Sequence, residues 1–212
     1  MKRKLLSLLL VCVILMSAMA LFTACGEEEP VYSRYVAIEV ENFGTIVVEL
    51  YKIMAPGTVY NFQKLVSQGF YDGLTFHRVI EGFMIQGGCP KGDGTGNAGY
   101  NIHGEMMSNG FSQNTLKHTR GTISMARGSH SMDSASCQFF ICDADSTFLD
   151  GDYAAFGKVV EGMDMVDEIA GVSVSANLWG EMSDPNVKVV IQSIRRVEGS
   201  ENKVVMKVKI GG

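Results

Sequence analysis

The sequence predicts a mainly β protein, either an antiparallel barrel or a sandwich, with two isolated helices. Short runs rich in β-branched and aromatic residues recur along the chain, and turns rich in glycine separate them; the 212 residues include 24 glycines and only 4 prolines. Only two segments show helical spacing of apolar residues, whereas a βαβ layout would need a helix after almost every strand. The chain shows no heptad pattern, no internal repeat and no low-complexity tract.

Each element follows from local spacing. Two β-branched runs at 35–40 and 45–50 flank a four-residue turn, which predicts a hairpin. Pro56 begins a stretch with its apolar residues on one helical face, and Gly69 is expected to end that helix. A second helix is predicted over 163–170. Further strands are predicted within 74–80, 83–86, 121–126, 138–142, 154–160 and 187–197.

The first 24 residues are predicted to be an export signal rather than part of the fold. Three basic residues precede residues 5–24, which carry no charge; that length could span a bilayer, but the pattern is typical of a secretory signal. The end of the segment resembles a bacterial lipoprotein box, in which Cys25 is lipidated and becomes the N-terminus. Phe22 stands where such boxes usually have Leu, so cleavage after Ala20 without lipidation and an uncleaved anchor remain alternatives.

The remaining chain is divided into three parts. Residues 25–34 are interpreted as a short acidic tether, 35–199 as one folded domain, and 200–212 as an extension in which apolar residues alternate with lysines, as in an edge strand. Removal of residues 1–24 would leave 15 basic and 23 acidic groups, a net charge of −8. This acidic balance argues against a nucleic-acid partner.

Several motifs do not fit the kinds of site that they resemble. Beyond the predicted signal and Cys25, the chain has three cysteines, Cys89, Cys137 and Cys142, and an odd number does not form a closed set of disulfides. Cys137 and Cys142 would point to opposite faces of one strand, so we interpret all three as small buried residues. The glycines of 94–99 match a dinucleotide motif, but no helix is expected after them. The segment beginning at Asp143 lacks the glycine and glutamate of a calcium loop. The histidines show no metal-ligand spacing, and we expect no metal or cofactor.

Two segments, 76–88 and 137–142, combine aromatic residues with Gln and Arg on short strands. Alternation places Gln138 and Phe140 on one face of their strand, and a ring beside an amide suits a peptide-binding groove. Arg78 lies among apolar residues and requires a partner, because an unpaired buried charge is costly. From spacing alone, two interpretations stay open: a functional guanidinium, or an arginine held in a salt bridge at the barrel rim.

At these residues the sequence resembles the cyclophilins, a family of peptidyl-prolyl cis–trans isomerases, over about residues 35–197. The resemblance implies a closed eight-stranded antiparallel β-barrel capped by two α-helices. It also implies an enzyme that accelerates rotation of X-Pro peptide bonds and assists the folding of exported or surface proteins. The matching segments are 76–78, 82–88, 121–126, 138–141, 149–151 and 156–159.

The family's site residues carry over by position, with Arg78 implied as the catalytic residue. Arg127, Phe148 and Tyr153 stand where Asn, Trp and His are common in eukaryotic members, which looks like the bacterial variety and implies weak cyclosporin binding, since the indole N–H is missing. The resemblance implies a proline pocket made of Phe83, Met84, Phe140 and Leu149. The other implied peptide contacts are His77, Gln86, Ala126, Arg127, Gln138, Phe148 and Tyr153.

The implied partners are proline-containing polypeptides, and the implied state is a monomer. With Cys25 lipidated, the protein would be held on the outer face of the bacterial cytoplasmic membrane; plain secretion is the alternative. Two other functions remain open: a module that binds proline segments without turnover, and a surface lipoprotein that interacts through residues 200–212. The presence of Arg78 together with the pocket residues favours the enzyme.

Overall fold

The computed structural model describes residues 32–197, in which ten strands and two α-helices follow one another. Cys25, the export signal, most of the tether and the 200–212 extension lie outside the described residues. The helices are α1 (Pro56–Ser67) and α2 (Met163–Ala170), and short 3-10 turns occur at Met107–Asn109 and Thr147–Leu149. The strands are β1 (Tyr35–Val40), β2 (Gly44–Leu50), β3 (Phe76–Ile80), β4 (Met84–Gly87), β5 (Thr122–Met125), β6 (Phe139–Cys142), β7 (Ala155–Glu161), β8 (Val174–Ala176), β9 (Met182–Pro185) and β10 (Ile191–Arg196).

Eight of these strands form one antiparallel sheet in the order β10-β1-β2-β7-β5-β6-β4-β3. The sheet curls until its two outer strands meet through an isolated bridge between Thr75 and Val190. At this junction the Phe76 amide donates to the Val189 carbonyl at 3.0 Å, and the Ile191 amide donates to the Leu74 carbonyl at 2.7 Å. The antiparallel sheet predicted from the strand pattern, and the eight strands that the resemblance implies, are therefore confirmed.

Helix α1 has its predicted start and its predicted apolar face. Pro56 occupies its first turn, where its missing N–H costs nothing. No side chain of the preceding residue caps the helix; instead the buried carboxylate of Glu105 accepts bonds from the amides of Gly57 and Thr58 at 2.9 and 2.8 Å. Gly69, with φ of +65°, follows the last turn. This left-handed conformation explains why a glycine ends the helix.

The two faces of β6 belong to two separate apolar clusters. Phe139 and Ile141 lie in the main core between the sheet and the helices, where Phe139 packs edge-on against Phe62 with ring centres 5.6 Å apart. Phe140 and Cys142 lie in a smaller cluster on the opposite face. The predicted alternation along this strand is confirmed.

The three cysteines of the described chain are free and buried, as predicted. Cys137 contacts the main core and Cys142 the smaller cluster, so the two do not face each other. Burial raises the pKa of the Cys137 thiol to about 11 and that of the Cys142 thiol to about 12. Both thiols therefore stay protonated at neutral pH and are poor nucleophiles.

One element was not predicted. The strands β8 and β9 pair as a hairpin between α2 and β10, and β9 packs against β3. The predicted last strand, 187–197, begins only at Ile191. The hairpin strands have 3 and 4 residues and little apolar alternation, so they gave no periodic signal. Within residues 32–197, neither helix has the length and apolar character needed to cross a membrane.

Candidate active site

Four neighbouring strands place their site side chains in one row. In the sheet register Arg78 of β3 lies opposite Gln86 of β4, Gln86 opposite Phe140 of β6, and Phe140 opposite Ser124 of β5. Because directly paired residues project to the same face of a sheet, these side chains line one surface. That surface is the face opposite the main core, since Phe140 belongs to the smaller cluster.

The smaller cluster is an apolar pocket beside this row. It brings together all four residues implied for the proline pocket: Met84, Phe140 and Leu149 are buried, and Phe83 packs against them. Ala126 and Tyr153 lie against the same cluster. The ring of Phe148 lies 5.5 Å from that of Phe83 and is 71% exposed, so Phe148 extends the apolar wall toward solvent.

The Arg78 guanidinium borders this pocket and is held by a carboxylate. Its Nε and Nη2 atoms donate to the two carboxylate oxygens of Glu181 at 2.6 and 2.7 Å. Its Nη1 atom donates to Gln86 Oε1 at 3.4 Å, which is long for an oxygen acceptor, and to Met84 Sδ at 3.5 Å, a weak acceptor. The salt bridge left open by the sequence is therefore present, and the same guanidinium also faces the apolar residues.

Glu181 is the site residue that sequence reasoning missed. It lies 103 positions after Arg78, in the hairpin that was not predicted. The only signal was the requirement that Arg78 have a partner. The hydrogen bonds from Arg78 lower the pKa of Glu181, so its side chain is ionised at neutral pH.

A chain of amides continues the row on the side of the glycine-rich loop. Gln86 Nε2 donates to Gln138 Oε1 at 3.0 Å, and Gln138 Nε2 donates to the carbonyls of Gly94 and Gly96, both at 2.8 Å. The loop is thereby tied to the site, and no helix follows it directly, as predicted. A cavity of about 350 Å³ opens here, lined in part by Gln86, Ala126, Arg127 and Gln138.

Arg127 and Tyr153 form one edge of the pocket. The Arg127 guanidinium carbon lies 4.7 Å from the centre of the Tyr153 ring, and its Nε donates to the Asp152 carbonyl at 2.9 Å. The Tyr153 ring packs edge-on against Phe140 with centres 5.9 Å apart. Two of the positions that depart from the eukaryotic pattern therefore contact each other.

His77 lies beside a different cavity from the apolar pocket. It lines a space of about 480 Å³ together with Arg78, the 92–94 loop and residues 177–184 of the hairpin, including the largely exposed Trp179. Burial lowers the pKa of His77, so its ring is neutral at neutral pH. Among the described residues, its ring nitrogens have no hydrogen-bond partner.

Beneath the pocket lies a Ser-His-Asp arrangement that sequence reasoning also missed. His118 Nε2 lies 3.0 Å from Ser124 Oγ, and His118 Nδ1 lies 3.2 Å from Asp150 Oδ1. Ser124 and His118 are fully buried, and the imidazole stacks on Phe140 with ring centres 5.9 Å apart. A serine without solvent access cannot attack a substrate, so this group supports Phe140 from below.

The described residues contain no cluster of three or more His, Cys, Asp or Glu side chains that could hold a metal ion. Cys25, the predicted lipidation site, lies outside residues 32–197. The other predicted site residues surround either the apolar pocket or the two adjoining cavities. Their individual roles remain predictions.

The chain is similar to known proteins along the whole of this fold. A family model described as cyclophilin type peptidyl-prolyl cis-trans isomerase/CLD matches residues 35–196. A peptidyl-prolyl cis-trans isomerase of Helicobacter pylori is 45% identical over 145 residues, which cover 68% of this chain and 84% of the relative. Peptidyl-prolyl cis-trans isomerase B of Bacillus subtilis is 45% identical over 134 residues, covering 63% of this chain and 89% of the relative.

Solved structures agree with this similarity. The crystal structure of a cyclophilin type peptidyl-prolyl cis-trans isomerase of Cryptosporidium parvum, determined in the presence of the dipeptide Ala-Pro, has a TM-score of 0.68 and 29% sequence identity. The structural match covers 78% of this chain and 99% of the Cryptosporidium parvum chain. With this fold and this family match, the chain belongs to the cyclophilin-type peptidyl-prolyl cis–trans isomerases. It is accordingly an enzyme that accelerates cis–trans rotation of peptide bonds preceding proline.

Proposed function

We propose that Arg78 catalyses rotation of the X-Pro bond by stabilising the twisted amide, while the proline ring occupies the pocket of Phe83, Met84, Phe140 and Leu149. The observation that supports this most is the position of Arg78 Nη1. It faces the apolar cluster and donates only a long hydrogen bond to Gln86 Oε1 and one to the weak sulfur acceptor of Met84, both of which a substrate acceptor can replace. The Nε–H and one Nη2–H are already bonded to Glu181.

The reaction itself dictates what the site must do. Rotation about a peptide bond costs ~18–20 kcal/mol because it breaks amide resonance, and both isomers of an X-Pro bond are populated. No covalent bond is made, so the enzyme has only to bind the twisted state more tightly than either planar state. When the amide twists, the prolyl nitrogen becomes pyramidal and gains a lone pair that a guanidinium N–H can donate to.

The apolar wall strengthens this interaction. It holds the proline ring while the preceding carbonyl rotates, and it excludes water, which lowers the local dielectric around the guanidinium. A charge-assisted hydrogen bond contributes ~1.5–3 kcal/mol, whereas a 10⁵-fold acceleration requires about 7 kcal/mol. Positioning and desolvation in the pocket must therefore supply the rest.

The test is turnover of a short X-Pro peptide by the mature chain, residues 25–212, with and without the guanidinium. Arg78→Ala should lower kcat/KM by about 10- to 150-fold, the loss of one charge-assisted hydrogen bond. The matched control is Arg195→Ala, because Arg195 also makes a two-pronged pair, with Asp72 at 2.7 and 2.6 Å, at the surface and outside the candidate site. Turnover of Arg78→Ala equal to that of Arg195→Ala would remove Arg78 from the mechanism.

For its place in the cell, we propose that the enzyme is exported, lipidated on Cys25 and held on the outer face of the cytoplasmic membrane, where it assists the folding of exported proteins. The basic start, the uncharged stretch and the lipoprotein-like box before Cys25 support this. In a bacterial host, the full chain should be recovered with membranes and should incorporate a lipid label. The Cys25→Ala variant should be lost from the membrane fraction and should incorporate no lipid label. Equal lipid labelling of both chains would contradict the proposal.

A further inference from the structure

The hairpin formed by β8 and β9 bonds to the Arg78 guanidinium through Glu181. Glu181 stands at the turn of this hairpin and gives both carboxylate oxygens to Arg78, at 2.6 and 2.7 Å. A two-pronged carboxylate–guanidinium pair fixes the plane of the guanidinium as well as its position. Nothing in β3 or β4 makes a contact with Arg78 of comparable length, since Gln86 and Met84 lie 3.4 and 3.5 Å from Nη1.

The turn that carries Glu181 is itself held in place. The Asn177 side chain accepts from the amides of Trp179 and Glu181, at 2.9 and 3.0 Å, and donates to the buried Ser183 hydroxyl at 3.1 Å. The Asn177 amide also donates to the Glu181 carbonyl at 2.8 Å. Because the backbone on both sides of Glu181 is bonded to one residue, the carboxylate has a defined position before any substrate binds.

We infer that Glu181 is a positioning residue for catalysis: it orients Arg78 so that Nη1, and not Nε or Nη2, points at the prolyl nitrogen. This inference rests on the proposed role of Arg78. Without Glu181 the guanidinium would sample other rotamers, and all five of its N–H groups would be free to turn toward water. The loss should appear in the rate of the chemical step, because ground-state binding of the proline depends on the apolar pocket.

The experiment compares variants of the mature chain in steady-state turnover of one X-Pro peptide. Glu181→Ala should lower kcat roughly tenfold or more with little change in KM, since small misplacements of a catalytic group cost up to about 100-fold. Glu181→Gln keeps an acceptor oxygen without the charge and should fall between Glu181→Ala and the natural chain. The matched control is Glu168→Ala, which removes an exposed carboxylate from α2.

Two further measurements separate positioning from a general structural effect. In NMR spectra of the natural chain, the Arg78 Nε–H signal should be protected from exchange with water. Glu181→Ala should lose that protection while the backbone amide signals stay in place. In an Arg78→Ala background, adding Glu181→Ala should cause no further loss of kcat, because the two residues act as a unit.

The possible outcomes distinguish this inference from the proposed function. If Arg78→Ala keeps natural turnover, the role of Arg78 fails, and the inference fails with it. If Arg78→Ala is slow but Glu181→Ala matches Glu168→Ala or exceeds the natural chain, only the positioning role of Glu181 is overturned. A further loss from Glu181→Ala in the Arg78→Ala background would overturn it as well.

Discussion

At the scale of single residues, the candidate site joins an apolar pocket to an ion pair between Arg78 and Glu181. Phe83, Met84, Phe140 and Leu149 were assigned from the resemblance, and the alternation along β6 placed Phe140 on the correct face. The partner of Arg78 could not be found, because Glu181 lies 103 positions away and no local rule connects them. Long-range ion pairs follow from tertiary topology, which periodicity does not contain.

The buried Ser124 and His118, together with the half-buried Asp150, lead to a prediction about reactivity. Their spacing resembles that of a hydrolytic triad, but Ser124 is 0% exposed and lies beneath Phe140. A fluorophosphonate reagent should therefore leave the intact mass and the isomerase turnover of the mature chain unchanged. A serine hydrolase treated in the same tube serves as the positive control, and a covalent adduct on Ser124 would contradict the structural role assigned here.

At the scale of elements, the long and periodic segments were predicted well. Helix α2 has the predicted bounds, 163–170, and α1 begins at Pro56 as expected. The β8–β9 hairpin was missed because tertiary contacts with β3, rather than its own sequence pattern, stabilise such short strands. The same limit applies to the start of α1, where the capping group comes from Glu105, distant in sequence.

The cap that Glu105 forms on α1 should contribute to stability. Its buried carboxylate accepts from the amides of Gly57 and Thr58 and from the Thr58 hydroxyl, the last at 2.7 Å. Glu105→Ala would leave the buried Thr58 amide and hydroxyl without this partner, which should lower the free energy of unfolding by about 2–3 kcal/mol. Urea unfolding measures the change, and Glu168→Ala should cost under about 0.5 kcal/mol because that residue is exposed. Equal midpoints for the two variants would contradict the capping role.

At the scale of the whole molecule, the closed sheet explains why the site is rigid. Arg78, Gln86, Phe140 and Ser124 come from four adjacent strands, so their spacing is fixed by backbone hydrogen bonds. The bridge from Thr75 to Val190 joins the two outer strands next to β3, which carries Arg78. The fold class could be predicted since it depends on many short strands together, and not on any single pairing.

Two histidines, the fully buried His118 and the half-buried His77, make the stability of this fold depend on pH. Burial is the largest cause that lowers the pKa of both His77 and His118 from the ordinary value of 6.5. The unfolded chain therefore binds more protons than the folded one as the pH falls through that range, and the free energy of unfolding should decrease.

Urea unfolding of the mature chain at about pH 7.5 and about pH 6, a window centred near the ordinary histidine pKa, measures this decrease. His118→Gln, which cannot be protonated in this range, should show a smaller decrease than the natural chain. Stability that is constant or that rises between the higher and the lower pH would contradict the assignment of neutral, buried imidazoles.

The central claim is that Arg78 binds the twisted amide more tightly than the planar one. The most direct measurement is NMR exchange spectroscopy of an Ala-Pro-containing peptide bound to the mature chain, which reports peptide affinity and on-enzyme cis–trans exchange separately. The account predicts that Arg78→Ala keeps the peptide affinity within a few-fold while on-enzyme exchange slows by about 10- to 150-fold. Equal losses in affinity and exchange rate, or an unchanged exchange rate, would contradict it.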